Sequence, residues 1–329
     1  MTLEEVAKRA GVSTATVSRV LNSTGLVKEA TRKRVLLAAK ELKYHPNLHA
    51  RTLARGKSRT IGMIVSNIEN PFFIDIFTSL ERAASKEGYS VLVEHTDYRS
   101  ARLVSSVRSM LGANLAGLAV IVSEMEPTLI EELSERELPI VFYDVGNPAR
   151  NITSIKVQYE IGMQRAVEYL YSMRHRRMAF VGHHAALGPL QARRDTFVDI
   201  MQRHATEAVF TTVEANDGPA GGRQATRQLL ASGFEPTAIL CANDFMALGV
   251  LKELRTQGKS CPGDVSVTGF DNIQLAEYAT PALTTAHIPR DRIGQLCFDA
   301  LVREGASEVE RSVLIEPELV VRESTGPVA

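Results

Sequence analysis

The sequence predicts a small all-α helix-turn-helix unit followed by a larger α/β unit of two doubly wound parallel-sheet subdomains. Three observations predict it: a helical period over residues 3–43, an alternation of short β-branched runs with longer amphipathic segments beyond Thr60, and a charge that changes sign between the two regions. The 329 residues are 44% hydrophobic with no Trp, enough for two or three globular units. Lys plus Arg equal Asp plus Glu at 38 each, so the formal charge is zero. Residues 1–59 nevertheless carry 13 basic against 4 acidic side chains, a net +9, while residues 60–329 carry 25 against 34, a net −9. A basic end joined to an acidic bulk points to a polyanionic partner at that end.

Thr2-Leu-Glu-Glu5 fits a capping box, Leu3, Val6, Ala7 and Ala10 then form one apolar stripe, and Gly11 stops the helix. Ser13 is placed to cap a second helix that buries Val17, Val20 and Leu21 and leaves Thr14, Ala15, Ser18, Arg19 and Asn22 outside. A third helix runs from about Thr31 to Lys43, with Val35, Ala38, Ala39 and Leu42 inward. Residues 46–59 are basic and poorly apolar, with Pro46 suited to start a helix and Gly56 to end it. Fewer than ~12 residues do not repay helix nucleation in water, so this is a linker that orders on contact. Strands are expected at 60–65, 90–94, 117–122, 139–143, 178–181, 208–213, 238–241, 265–268 and 283–287. Helices are expected at 72–86, 101–111, 159–173, 191–204, 221–230, 243–256 and 290–303. Such alternation implies parallel sheets covered on both faces.

Cys241, Cys261 and Cys297 are odd in number and widely spaced, which excludes a disulfide framework and a CxxC metal clip and fits a reducing cytoplasm. No signal-peptide pattern and no 18-residue apolar run occurs, so neither export nor a membrane is expected. Gly56-Lys57-Ser58 ends like a P-loop, but Arg51 stands where its first Gly is needed. His45 and His49 have helical metal spacing without a third ligand nearby, and the adjacent His183 and His184 face opposite ways in a strand. Gly218-Pro-Ala-Gly-Gly222 reads as a loop between strand and helix. No GxSxG, HExxH, SxxK or strand-linked GxGxxG appears, so no enzyme, metal or cofactor is expected.

Residues 3–22 carry the strongest signal: a helix, a glycine turn, and a second helix whose small, hydroxylated, basic face fits the ~12 Å major groove. Any helical hairpin shares that outline, but here the +9 charge and the basic linker accompany it. Thr16-Val-Ser-Arg-Val-Leu-Asn22, Tyr44-His-Pro-Asn47 with Leu53-Ala54, Asn70-Pro-Phe-Phe73, Ala242-Asn-Asp244, Gly269-Phe-Asp271 and Leu319-Val-Val-Arg-Glu-Ser-Thr325 follow one another in order. In these the chain resembles the LacI/GalR family of bacterial transcriptional repressors over essentially its whole length.

The resemblance implies a DNA-binding domain at 1–45, a hinge at 46–59 and an effector-binding and dimerisation domain at 60–329 of the periplasmic-binding-protein type I fold. Its N-subdomain would take about 60–158 and 289–317, its C-subdomain about 159–286 and 318–329. By position it implies DNA contacts from Thr2, Ser13, Thr14, Ala15, Thr16, Ser18, Arg19 and Asn22, and from Asn47, Ala50, Leu53 and Ala54 in the hinge, with Leu53 wedged into the minor groove. Lys28 departs from the family's usual Ser and weakens the third helix's cap.

For the effector the resemblance implies Asn70, Phe72, Phe73, Arg193, Asn243 and Asp271, with Asp144 a weaker candidate. Arg193 competes with a surface Arg-Arg reading, Asn243 and Asp271 with helix capping, and one of the two Phe with a core role. Gln158-Tyr159 replaces a usual Asp-Asn pair, and Thr196 a usual Gly. The expected partners are a pseudo-palindromic double-stranded operator, a small-molecule effector with a sugar favoured, and a second copy of the chain; no leucine heptads follow Thr325, so a dimer is expected. The alternatives are a corepressor-dependent regulator responding to a nucleobase or other metabolite, and, more remotely, a solute-binding protein for transport.

Overall fold

A computed structural model describes residues 2–22, 26–44, 58–184, 188–204, 206–303 and 312–328, and the chain divides into two units, Met1–Ser58 and Arg59–Ala329. The first holds α1 (Leu3–Ala10), α2 (Thr14–Asn22) and α3 (Glu29–Glu41). The capping box forms: the Glu5 N–H donates to Thr2 Oγ1 at 3.3 Å and the Thr2 N–H to Glu5 Oε2 at 2.8 Å. Gly11 closes α1 in the left-handed conformation, φ 64°, which a Cβ disfavours. Ser13 Oγ accepts the Thr16 N–H at 3.3 Å and starts α2. Val6, Ala10, Val17, Val20, Val35 and Ala38 then meet in one small core. Lys28 makes no side-chain cap bond. Yet α3 starts two residues earlier than the apolar pattern indicates, with Glu29 in its first turn, where the helix dipole favours an acid. It also stops earlier, because Lys43 turns left-handed at φ 48°. The hinge helix expected at 46–59 falls almost wholly outside the described residues.

The second unit builds two sheets. The first receives β1 (Thr60–Val65), α4 (Pro71–Lys86), β2 (Ser90–His95), α5 (Ser100–Gly112), β3 (Gly117–Ile121), α6 (Pro127–Ser134), β4 (Ile140–Tyr143) and β5 (Ile152–Val157). The second receives α7 (Tyr159–Ser172), β6 (Arg177–His183), α8 (Gly188–Arg203), β7 (Val209–Ala215), α9 (Gly218–Ala231), β8 (Ala238–Cys241), α10 (Asp244–Thr256), β9 (Ser266–Asp271), α11 (Gln274–Tyr278) and β10 (Thr284–His287). The chain returns to the first sheet through α12 (Arg290–Val302) and β11 (Ser312–Ile315), then to the second through β12 (Glu318–Val320). The strand orders are β11-β5-β4-β3-β1-β2 and β12-β10-β9-β8-β6-β7, parallel except for β12 against β10.

Helices cover both faces, so the central strands β3, β4, β8 and β9 are wholly buried and read as continuous apolar runs. β5, β11 and β12 were not expected. β5 carries Thr153, Ser154 and Lys156 among its apolar residues, and the other two are short edge strands with exposed positions. Residues 218–222 form the first turn of α9 rather than a loop. Their glycines serve packing: a Cβ on Gly222 would stand 2.1 Å from the Met246 carbonyl oxygen, and one on Gly249 2.1 Å from that of Pro219, so α9 and α10 touch backbone to backbone.

Candidate functional site

In the first unit α2 turns Val17 and Val20 inward at 0% and 2% exposure and leaves Thr14, Ala15 and Arg19 exposed, with Thr16 and Ser18 half-buried at its edge. Thr2 and Ser13 are exposed at the starts of α1 and α2, and Asn22 ends α2. The outer face is thus small, hydroxylated and basic, with the positive end of a helix at Thr14. Asn47, Ala50, Leu53 and Ala54 lie outside the described residues.

In the second unit the candidate effector residues gather in a cleft of about 370 Å³, mouth included, at the carboxyl ends of the strands, where open parallel sheets bind ligands. Asn70 stands after β1 and caps α4, its Oδ1 accepting the Phe72 N–H at 3.1 Å. Phe72 and Phe73 meet edge to face at 5.1 Å; both line the cleft and both belong to the core. Arg193, on α8, is 5% exposed. Its guanidinium lies between the rings of Tyr159 and Phe270, at 4.4 and 4.5 Å, donates to the Ala242 carbonyl at 2.5 Å and stands 3.6 Å from Asp271. Arg194 instead pairs with Asp195 and Glu214 at 2.9 and 2.8 Å on the surface, so the tandem divides into one inward and one outward arginine. Asn243 caps α10, accepting the Met246 N–H at 2.8 Å, and also lines the cleft. Asp271 caps nothing; α11 begins after Ile273. Its Oδ1 and Arg193 Nε are buried without a hydrogen-bond partner.

Left-handed backbone concentrates here, at Asp97 (φ 57°), Tyr98 (54°), Asp144 (60°), Asp271 (106°) and Asn272 (54°), which only surrounding structure sustains. Arg290 supplies part of it, donating to the carbonyls of Asp271 and, at 2.5 Å, Asn272 while its Nε bonds Asp75 at 2.9 Å. Asp144 is withdrawn behind the cleft, accepting from Tyr159 and, at 2.7 Å, from the Val157 N–H. Burial pushes the carboxyls of Asp144 and Asp271 up to about 7, the first against the Tyr159 hydrogen bond and the second against the charge of Arg193.

An acid whose folded pKa exceeds its unfolded value, about 3.9 for Asp, costs stability as it ionises. The penalty of Asp144 therefore grows from near pH 4 to about pH 7 and is constant above. Comparing melting temperatures of wild type and Asp144→Asn between pH 5 and 8 is expected to show the wild type falling relative to the variant up to about pH 7. Parallel curves contradict the assignment.

Sequence reasoning missed Asp217, Tyr98 and Tyr143. Asp217 occupies the N-cap position of α9 but makes no cap bond. Its carboxylate accepts instead from Asn67 (3.0 Å), Asn70 (3.3 Å), Tyr98 (2.8 Å) and Asn243 (2.8 Å). The first three belong to the first sheet's side, so this one carboxylate ties the two sheets across the cleft. Tyr98 also lies against His183, ring centroids 4.7 Å apart. Among the described residues no group of three or more His, Cys, Asp or Glu is placed to hold a metal, and no helix is long and apolar enough to cross a membrane.

Two family patterns match the chain: bacterial regulatory proteins of the lacI family over residues 2–47, and a periplasmic binding protein-like domain over residues 167–325. The HTH-type transcriptional repressor PurR of Erwinia tasmaniensis is 34% identical over 339 residues, 99% of this chain and 97% of the relative. The PurR of Vibrio cholerae is 34% identical over 331 residues, 98% of this chain and 97% of the relative. Among solved structures, the Lac repressor dimer bound to operator and the anti-inducer ONPF superposes with a TM-score of 0.82 at 29% identity, covering 99% of each chain. A regulator of the same family from Silicibacter pomeroyi gives 0.86 at 25% identity, covering 98% of this chain and 99% of that one. The CelR–cellobiose complex gives 0.68 at 26% identity with the same two coverages.

Proposed function

The chain belongs to the lacI family of bacterial regulatory proteins, DNA-binding repressors with an effector-binding domain, and from that premise we propose that it works in the cytoplasm as a homodimer whose grip on a pseudo-palindromic operator is set by a small molecule in the cleft. Its relatives are repressors rather than enzymes. Two copies of α2 would enter successive major grooves, Thr14 and Ala15 against base edges, Ser18, Arg19 and Asn22 against bases or phosphates, with Thr2, Ser13 and Thr16 at the backbone. Asn47, Ala50, Leu53 and Ala54 would follow in the minor groove.

Asn70, Phe72, Phe73, Arg193, Asn243 and Asp271 form the effector site, and Asp144 supports it through Tyr159. One observation carries this half of the reading: a buried donor, Arg193 Nε, and a buried acceptor, Asp271 Oδ1, are left without a hydrogen bond in one cleft, the acceptor only 3.6 Å from the Arg193 guanidinium, an arrangement that stands at a cost until a ligand completes it. A sugar-like effector is favoured by the neighbour solved with cellobiose. A gel shift on the DNA upstream of the chain's own gene, repeated across salt, is expected to show sequence-selective binding that weakens steeply as salt rises. Binding that is neither selective nor salt-sensitive contradicts the reading.

A further inference from the structure

The turn that carries Asp271 has to be held against the preference of its own backbone. β9 ends at Asp271 and α11 begins at Gln274, and between them Asp271 and Asn272 turn left-handed in succession, at φ 106° and 54°. Side chains disfavour that region, so such a turn persists where neighbouring groups fix it. Its amides are met from two sides: the Asn272 N–H donates to Thr285 Oγ1 at 3.3 Å and the Ile273 N–H to Asp244 Oδ2 at 2.8 Å. Its carbonyl oxygens converge on one side chain. Arg290 Nη1 donates to the Asp271 oxygen and, at 3.0 Å, to that of Ile288, while Nη2 donates at 2.5 Å to that of Asn272.

Arg290 comes from the other half of the unit. It opens α12, which packs on α4 so closely that a Cβ on Gly294 would stand 2.6 Å from the Ile76 carbonyl oxygen. The Ser79 hydroxyl of α4 donates to the Asp291 carbonyl at 2.6 Å, and Arg290 Nε donates to Asp75 Oδ2 of α4 at 2.9 Å. Close-packed contacts of this kind transmit displacement rather than absorb it. The guanidinium, 12% exposed, is thus a fork between the carbonyls of the Asp271 turn and a carboxylate of α4. Arg290 is not among the residues that line the effector cleft; with Asp75, Thr78, Gln274 and His287 it lines a separate recess.

We propose that Arg290 is a positioning residue for effector control, a role that rests on the effector site placed in this cleft. It holds the Asp271–Asn272 turn in the form that keeps the Asp271 carboxyl beside Arg193. Through Asp75 it ties that turn to α4, so that a change at Asp271 reaches the sheet whose first strand, β1, follows the hinge. The two arms separate. Removing the guanidinium frees both the turn and α4, whereas removing the Asp75 carboxylate frees α4 and leaves the carbonyl bonds in place. Lysine at 290 keeps a charge for Asp75 but lacks the planar fork that serves several oxygens at once.

Amide hydrogen exchange on the purified full-length protein tests both arms without an identified effector. DNA from upstream of the chain's own gene is the probe, because coupling is reciprocal and operator must act back on the cleft. In free protein, Arg290→Met is expected to raise exchange at residues 272–274 about tenfold or more, Arg290→Lys to recover part of the protection, and Asp75→Ala to stay within about twofold of wild type. Exchange in the buried strand β8 is the reference, since a merely structural defect raises it in step. Saturation with the DNA is expected to change exchange at 272–274 at least about threefold in wild type and to lose most of that change in Asp75→Ala. Unaltered exchange at the turn in Arg290→Met, a rise shared equally by β8, a DNA-induced change missing from wild type, or one fully kept in Asp75→Ala overturns the proposal. DNA that is not bound selectively removes instead the regulatory reading, while the free-protein comparison still decides whether Arg290 holds the turn.

Discussion

Arg193→Ala is expected to abolish the effector response while the variant still binds operator. Among the described residues that line the cleft the guanidinium is the one Lys or Arg cation, and it is fixed by the Tyr159 and Phe270 rings, the Ala242 carbonyl and Asp271. Truncation removes the donor that faces the ligand and leaves Asp271 buried without its partner, a change that costs about 3–5 kcal/mol in buried pairs. Effector affinity should fall at least ~100-fold, about 2.7 kcal/mol. The head folds on its own core, so operator affinity in the absence of effector should stay within about threefold, well under 1.4 kcal/mol. Arg193→Lys keeps the charge but loses the flat fork that lies between two rings, and it should recover little of the response. Titrating effector into each variant checks the first expectation, and operator binding without effector checks the second. A response preserved in Arg193→Ala means that the ligand is held elsewhere.

Ala15→Glu is expected to produce the opposite separation. Ala15 is exposed on the outer face of α2, one turn from Arg19, and its side chain makes no contribution to the Val17–Val20 core. A carboxylate there faces base-edge acceptors and phosphates, so operator affinity should fall roughly 100-fold or more, the scale of one to two lost base contacts. Effector affinity should be unchanged, and so should melting of the effector domain. Equal operator binding by the variant would remove α2 from the DNA interface.

The head was legible because its instructions are local. Thr2 and Glu5 cap each other across three residues, Gly11 turns the chain, and Ser13 caps Thr16, all visible as adjacent letters. The strand–helix rhythm was legible for the buried strands and failed at β5, β11 and β12, where polar or exposed edge positions break the apolar run. The sequence placed Arg193, Asn243 and Asp271 together by resemblance, and the fold gathers them. It also noted Tyr159 as a departure without showing that its ring would carry Arg193. Asp217 was invisible because its partners Asn67, Asn70 and Tyr98 lie 150, 147 and 119 residues away, and an Asp before Gly218 reads locally as a helix cap. Only the closing of two sheets on one another reveals that it caps nothing and bridges the cleft.

The central claim is that one ligand in the cleft controls the hold on DNA. Coupling of this kind is reciprocal, so the factor by which effector changes operator affinity must equal the factor by which operator changes effector affinity. Calorimetric titration of the effector into free protein and into protein saturated with operator measures this most directly. The two effector affinities are expected to differ by about 5- to 150-fold, the usual range of a 1–3 kcal/mol coupling. Identical affinities for free and operator-bound protein would contradict it.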